Sequence, residues 1–205
     1  MITAVVENGN AYNGIISRVV FAKSYYTTTG ERRYGGEIAS TNYSNGGFTL
    51  TLPAVLDDKF LYTFEEYGNI KVSDENAKIS DFEGGARGYD SNNEMIHRID
   101  LVGKNNDLFT FVFFVYADRD VTITGSHERE CGSSETLNVS LKRGWNRVYS
   151  TAKYTENVSK YEISTKSVSG LKWYFFDDWQ NLFFGAPENT KNAVKRNAVF
   201  PRFGK

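Results

Sequence analysis

The stretch Leu-Phe-Thr-Phe-Val-Phe-Phe-Val-Tyr-Ala (Leu108–Ala117) decides the fold of this chain, because Thr110 is its single polar residue. An uninterrupted run of β-branched and aromatic residues predicts a strand that is buried on both faces. The central strand of a β-sandwich turns one face to the core, so its second face needs a cover of its own. We consider three covers: segment 57–95, the C-terminal tail and a second subunit. A row of Phe side chains left open would instead mark a partner or aggregation surface.

Downstream of this run, further strands follow at polar corners. The sequence Asp118-Arg119-Asp120 predicts a turn, after which Val121–Gly125 and Leu137–Leu141 have the composition of strands. A second turn at Gly144-Trp145-Asn146 leads into a strand that ends near Tyr149. This succession of short strands and turns predicts antiparallel β-structure.

Upstream, the same pattern begins near the N-terminus. In Phe48–Leu52 the apolar residues alternate with threonines, which is typical of a strand with one solvated face. The preceding Asn45-Gly46-Gly47 can adopt positive φ angles and predicts a tight hairpin. Asp74–Lys78 is predicted as a turn, and Thr27–Gly36 and Gly84–Asn93 as loops. Further strands are predicted at Ile2–Val6, Ile15–Ala22, Phe60–Phe64, Ile70–Val72, Ile96–Val102, Tyr161–Lys166 and Leu171–Phe176.

No stretch before Trp179 has a sustained helical period, which argues against alternating strands and helices. We therefore predict an all-β protein, an antiparallel β-sandwich of about nine to eleven strands in one domain over residues 1–178. Segment 57–95 is its least regular part. Residues 179–205 form a basic tail, which is either a partly ordered terminus or a docking arm for a partner or an acidic surface.

Composition narrows the classes of function. The net charge is −1, from 24 basic and 25 acidic residues, and like charges form no blocks, so nucleic acid is not expected as the main partner. The single cysteine, Cys131, excludes an internal disulfide. No apolar run reaches the roughly 18 residues of a membrane-spanning helix. The first residues lack the features of a signal peptide, so either the protein is cytoplasmic or a leader has been removed.

Metal binding has two weak candidates. His127 and Cys131 are four residues apart, but zinc needs three or four ligands, so a solvated loop is the better interpretation of this segment. Asp118 and Asp120 flank a strand end and could offer oxygen ligands to calcium. The commoner role of aspartate at such a corner is to cap the turn.

Catalytic and cofactor sites are not predicted. The pairs Asp57-Asp58 and Asp177-Asp178 are adjacent in sequence, so in a strand their side chains would point to opposite faces. A glycan-processing enzyme, which needs two carboxylates at a set separation, therefore stays a minor alternative. The glycine-rich segment 84–88 lacks the Gly-Lys-Ser/Thr ending of a phosphate-binding loop.

Exposed aromatic side chains could stack on sugar rings. The candidates are Trp179, beside Asp177, and the pair Tyr25 and Tyr26. Trp145 and Trp173 are predicted to pack in the core.

The order of several segments resembles secreted or lipid-anchored β-sandwich proteins of gut Bacteroidetes, a largely uncharacterised group. The segments that carry this resemblance are Val5–Gly9, Ile38–Ser40, Tyr43–Pro53, Val115–Gly125, Val139–Tyr149 and Gly170–Phe175. A looser similarity is to fimbrillin-type pilus and adhesion proteins, which have a comparable strand and turn to Leu137–Tyr149.

The resemblance implies a prealbumin-like first half and a place in the cell envelope, periplasmic or surface-exposed, with a lipid anchor or leader in the precursor. We expect a non-enzymatic binding or adhesion module, without cofactor, whose protein or glycan partner is unknown. Hydrogen bonding at exposed strand edges could also join copies of the chain. A carbohydrate-binding protein and a fimbrillin-like pilus component are the alternatives.

Overall fold

The computed structural model describes residues 1–128, 132–154, 159–178 and 180, and among them it shows an all-β, mostly antiparallel, sandwich-like fold. Fifteen strands occur in this described part, more than the nine to eleven predicted, and three of them are only two residues long. In chain order the strands are β1 (Ile2–Val5), β2 (Arg18–Tyr26), β3 (Arg32–Asn42), β4 (Gly47–Leu50), β5 (Tyr62–Thr63), β6 (Lys71–Val72), β7 (Lys78–Ile79), β8 (Gly85–Tyr89), β9 (Met95–Asn105), β10 (Leu108–Ala117), β11 (Val121–Glu128), β12 (Ser134–Leu141), β13 (Gly144–Tyr154), β14 (Ser159–Ser164) and β15 (Lys172–Phe175).

Most strands belong to one extended sheet with the order β3-β2-β8-β9-β10-β13-β14-β12-β11-β6. Strand β15 pairs with β9, and β7 links β5 to β10. The pairing of β12 with β14 is parallel, whereas the other ladders of the described residues are antiparallel. Strands β1 and β4 form a separate two-stranded sheet.

The first hydrophobic core lies between this small sheet and the β2, β8, β9 and β15 end of the large sheet. Ile2 and Leu50, which are ladder partners, contribute from one layer, and Phe21, Ile99 and Phe175 from the other. Alternation along each strand puts every second side chain into this core, which is why β1 and β4 show the period of two.

The second core is enclosed by β10, β13, β14, β12 and β11 together with part of segment 57–95. Ile123, Val139 and Ile163 are fully buried there, and Ile79 and Phe82 come from the irregular segment. The alternating pattern of β12, in which every second residue is buried, follows from packing one face of a strand on this core.

The apolar composition of strand β10 follows from its position, because its two faces pack in different cores. Phe113 and Val115 lie in the second core, and Phe114 lies in the first. The Phe114 ring is 5.9 Å from that of Phe21 and stacks on that of Trp173 at 6.2 Å. The predicted burial of both faces is confirmed, and segment 57–95 contributes to the cover of the Phe113 face through Ile79 and Phe82.

The predicted loop at Gly84–Asn93 is wrong for Gly85–Tyr89, which form β8 in the interior of the sheet. Glycine is common in loops, but the glycines of this strand allow close packing. Gly88 is buried, and a Cβ atom there would lie 2.7 Å from Cδ1 of Ile16. Ala86 is likewise buried in the first core.

The predicted loop at Thr27–Gly36 is correct only to Glu31, because β3 starts at Arg32. The turn closes with a hydrogen bond from Thr27 N to Glu31 O of 2.9 Å. Strand β3 tolerates Gly35 and Gly36 because the β2–β3 ladder shifts register beside them.

The predicted turn at Asn45-Gly46-Gly47 exists, with positive φ angles at Asn45 and Gly46. A single bridge between Ser44 and Gly47 closes it, after which β4 leaves to pair with β1 rather than with β3. The segment is therefore a corner between two sheets and not the start of a long hairpin.

Candidate binding cleft

The large sheet divides at β9. One edge of β9 carries β15 along Ile99–Val102, and the opposite edge carries β8 up to Ile99 and β10 from Val102 onward. Ile99 and Val102 of β9 each pair with β15 on one edge, so β8 and β10 must both pair with the opposite edge of β9. Strands β8 and β10 separate between Ile99 and Val102, and we call this gap in the sheet the fork.

A cleft of about 770 Å³ opens at this fork. Such a volume lies in the range of small-molecule and peptide-side-chain pockets. Its walls are the start of β8 and the middle of β10, its floor is β9, and Tyr34 of β3 stands at its rim. The lining residues are Phe21, Ser24, Tyr34, Glu83, Gly84, Gly85, Ala86, Arg87, Arg98, Ile99, Asp100, Leu101, Phe111, Val112, Phe113, Phe114, Trp173, Phe176 and Gln180.

Strand β10 presents a stretch of unpaired edge to the cleft. Its ladder with β9 ends at the pair Phe111 and Val102. Its next contact on that edge is Tyr116, which receives a hydrogen bond from Ser80 N at 2.8 Å and donates one from its own N to Ser80 Oγ at 2.9 Å. Within the described residues, no strand pairs with 112–115 on this side.

The alternation of backbone groups shows which atoms face the opening. In an antiparallel strand, the N–H and C=O of one residue point to the same edge, and those of its neighbour point to the other. Tyr116 faces the β7 side, so Phe114 also directs its N–H and C=O to that side and into the cleft. The backbone N–H and C=O of Val115 point instead to its partner Asn146 on β13.

Two arginines on neighbouring strands lie directly opposite each other beside the cleft. Arg87 of β8 and Arg98 of β9 are ladder partners, so their side chains project from the same face. Arg98 donates from Nε to Asp100 Oδ2 at 2.9 Å and lies 4.4 Å from the Phe176 ring. Arg87 is half-buried and forms no ion pair with any described residue.

A buried ionic cluster supports one wall of the cleft. Lys23 is only 1% exposed, and its Nζ donates to the carbonyl oxygens of Asp81 and Glu83, each at 2.6 Å, and lies 3.4 Å from Asp81 Oδ1. Arg32 contacts the carboxylates of both acids, at 3.2 and 3.1 Å. The cluster connects the segment before β8 to strands β2 and β3. It therefore stabilises the wall of the cleft to which Glu83 belongs.

The electrostatics of this cluster follow from burial. Desolvation lowers the pKa of the Lys23 ammonium, although Asp81 opposes this change. Burial also disfavours the charged form of Arg32, but the contacts with Glu83 and Asp81 outweigh it and raise the Arg32 pKa. Beside the cluster lies a small cavity of about 20 Å³, lined by Tyr26 and Tyr62 among others, which is large enough for one water.

The two calcium candidates accept hydrogen bonds from protein groups. Asp118 Oδ1 accepts from Lys78 N at 2.9 Å and also contacts Arg119. Asp120 accepts from Arg143 N at 2.9 Å and from Lys142 Nζ at 2.7 Å. These contacts lower the pKa of both carboxyl groups. Across the described residues, no group of three or more His, Cys, Asp or Glu side chains is arranged to hold a metal.

The sugar-stacking candidates are not brought together by the fold. Tyr25 packs against Phe60, with ring centroids 6.0 Å apart, while Tyr26 turns to the other face. Asp177 Oδ2 lies 3.4 Å from His97 Nδ1. Trp179, residues 181–205 of the proposed tail and Cys131 lie outside the described residues.

The other two tryptophans pack as predicted. Trp173 is buried in the first core, and Trp145 is half-buried and donates from Nε1 to Pro53 O at 2.8 Å. The sequence did not reveal the cleft, because Arg87 fell in a predicted loop and the divergence of β8 from β10 has no local signature. The one available signal was the pair of arginines in segments that prove to be neighbouring strands.

Comparisons with models of protein families, with curated proteins and with solved structures found no match. Among the described residues, no helix has the length and apolar character needed to cross a membrane.

Proposed function

We propose that this protein is a non-enzymatic binding module that holds an extended polypeptide segment in the cleft at the fork. The observation that carries the proposal is the unpaired edge of β10, where Phe114 directs a backbone donor and an acceptor into the cleft. Strand edges of this kind bind extended chains through main-chain hydrogen bonds. The edge 112–115 spans about 13 Å, which suits a segment of about four residues.

The polar side chains of the cleft favour binding over acid–base chemistry. Asp100 accepts a hydrogen bond from Arg98, and Glu83 is held by Arg32. Both carboxylates are therefore already engaged by arginine side chains. The aromatic wall formed by Phe114 and Trp173 is packed into the first core, so the site is built on rigid strands.

The proposal can be tested by selecting peptides from a random displayed library against the full chain. A selected peptide is then resynthesised with single backbone N-methyl groups. Strand addition predicts that N-methylation weakens binding at alternate positions, because every second amide faces β10. Equal effects at all positions, or no selected peptide, would contradict the proposal.

Amide hydrogen exchange provides an internal control. In the free protein the Phe114 amide should exchange faster than the Val115 amide, which faces β13, by on the order of 100-fold. Bound peptide should slow exchange at Phe114 and leave Val115 unchanged. Protection that spreads over β10 without this alternation would indicate general stabilisation rather than strand pairing.

Carbohydrate binding through surface aromatics is the second candidate. Tyr34 is 67% exposed at the rim of the cleft, and the Arg32 guanidinium lies 5.0 Å from its ring. An exposed ring beside a donor is a suitable surface for a sugar. A glycan-array signal that disappears in Tyr34→Ala and persists in Tyr26→Ala would favour this function.

A place in the cell envelope, a lipid anchor and self-association through strand edges are further proposals, which rest on the sequence resemblance and on exposed edges. Strand β3 is the end strand of the large sheet, so its outer edge could pair with another copy. The charged residues Arg32, Arg33 and Glu37 on this strand oppose such pairing. Light scattering over a range of concentrations tests self-association, and a constant monomer mass would exclude it.

A further inference from the structure

We propose that the segment bound in the cleft carries a carboxylate, and that Arg87 binds this group. This inference rests on the proposed function and adds the chemistry of the ligand. It is derived from the ion pairs of the charged residues that line the cleft and from the surroundings of Arg87.

Among the charged residues that line the cleft, Arg87 is the one without an ion pair in the described part of the chain. Asp100 pairs with Arg98, and Glu83 pairs with Arg32. No described anion therefore compensates the charge of Arg87, which is half-buried, where solvent screens it less than at an open surface.

Arg87 and Arg98 are ladder partners, but only Arg98 has a described carboxylate beside it, since its Nε donates to Asp100 Oδ2. A carboxylate of the bound segment would accept hydrogen bonds from Arg87. Charge-assisted bonds between guanidinium and carboxylate are among the stronger ones in proteins.

The guanidinium of Arg87 lies beside strand β3. It reaches across β2, and a Cβ atom on Gly35 would lie 2.7 Å from Arg87 Nη1. The absence of a side chain at Gly35 thus leaves room for the arginine head at the cleft.

The carboxylate has two possible sources in a polypeptide, an Asp or Glu side chain and the C-terminus. The chemistry at Arg87 is the same for both. Blocking the terminus as an amide separates them, because it removes one source and leaves the other.

The test uses fluorescently labelled pools of short peptides and the full chain. One pool contains Asp and Glu at its variable positions, a matched pool contains Asn and Gln, and each is made with a free and with an amidated C-terminus. Binding is followed by anisotropy to the wild type, to Arg87→Gln and to Arg143→Gln. Arg143 is an exposed arginine outside the cleft and serves as the control.

We expect pools with a carboxylate to bind the wild type on the order of tenfold more tightly than pools without one. Arg87→Gln should abolish this preference while it keeps the binding of the uncharged pool, and Arg143→Gln should change neither. A preference lost on amidation assigns the terminal carboxylate, and a preference retained in the amidated acidic pool assigns the side chain. Either result supports the inference.

Two outcomes would overturn it, and they differ. If all pools bind the wild type equally, or if Arg87→Gln keeps the acidic preference, the carboxylate is not recognised by Arg87 and only this inference fails. If no pool binds, strand addition fails as well. Melting temperatures provide a further check. Arg87→Gln breaks no ion pair of the described residues and should be about as stable as the wild type, whereas a clear loss of stability would give Arg87 a structural role instead.

Discussion

The ion pair between Lys23 and Asp81 makes a strong prediction about stability, because both side chains are almost completely buried. Asp81→Asn keeps the shape of the side chain and removes its charge. The cluster of Lys23, Arg32, Asp81 and Glu83 then changes from two positive and two negative charges to a net +1. The Lys23 ammonium keeps its two carbonyl acceptors but loses its nearest counter-charge.

Removing one partner of a buried pair typically costs about 3–5 kcal/mol, because an uncompensated charge remains in the interior. For a chain of this size that free energy corresponds to a fall in Tm of about 10 °C. The double variant Lys23→Met/Asp81→Asn removes both charges and leaves Arg32 paired with Glu83. It should be more stable than Asp81→Asn alone, since the buried ammonium is gone.

Urea unfolding of the wild type, both single variants and the double variant completes a double-mutant cycle. We expect a favourable coupling of at least about 2 kcal/mol between Lys23 and Asp81. Additive effects, or a loss below about 1 kcal/mol for Asp81→Asn, would refute the argument that the pair is desolvated and mutually dependent. Arg119→Gln, which breaks an exposed pair with Asp118, is the matched control and should cost little.

Gly125→Ala should destabilise far more than Gly144→Ala: both residues have positive φ, but only at Gly125 would a Cβ meet backbone, 2.1 Å from Asn69 O. Thermal unfolding should separate the two by more than about 2 kcal/mol, and similar Tm values would contradict the predicted clash. Burial raises the pKa of Tyr43 to about 12, so the neutral phenol is favoured in the folded state. The stability that the raised pKa of Tyr43 provides is complete below pH 10 and is lost as the pH rises towards 12. Because the pKa values of Tyr12 and Tyr62 are also raised, unfolding at a series of pH values should show a smaller loss in Tyr43→Phe than in the wild type. Phe114→Ala should cost about 3–5 kcal/mol in urea unfolding, because it opens a cavity in the first core, and a cost near zero would exclude its place there.

The strands could be predicted wherever a local pattern determined them. The apolar run of β10 follows from burial of both faces, and the alternation in β4 follows from burial of one face. Burial of a face requires apolar residues, so it can be read from the sequence. Segments 27–36 and 84–93 are predicted as loops, although each contains part of a strand. Both errors have one cause, because glycine is common both in loops and where strands pack closely. Composition alone does not distinguish the two, and the pairing of β8 with β2 and β9 is a long-range property.

The candidate site was less predictable than the fold. Its parts are a backbone edge, which has no sequence signature, and the arginines Arg87 and Arg98, which become neighbours only through the register of β8 on β9. The residues singled out from the sequence were conspicuous because they are charged or aromatic at strand ends. In the fold, Asp118 and Asp120 accept hydrogen bonds from neighbouring segments, and Tyr25 packs on Phe60.

The position of β15 in the first layer has a consequence for the rate of folding. This strand pairs with β9, and Glu7 N donates to Trp173 O at 2.8 Å, so residues far apart in the sequence are joined. The first core closes only when Ile2 and Phe175 are in the same place. Contacts of such long sequence separation form slowly, because a long loop must be closed before they contribute to stability. Until then the Phe-rich strand β10 is exposed, and exposed apolar strands make folding intermediates prone to aggregation.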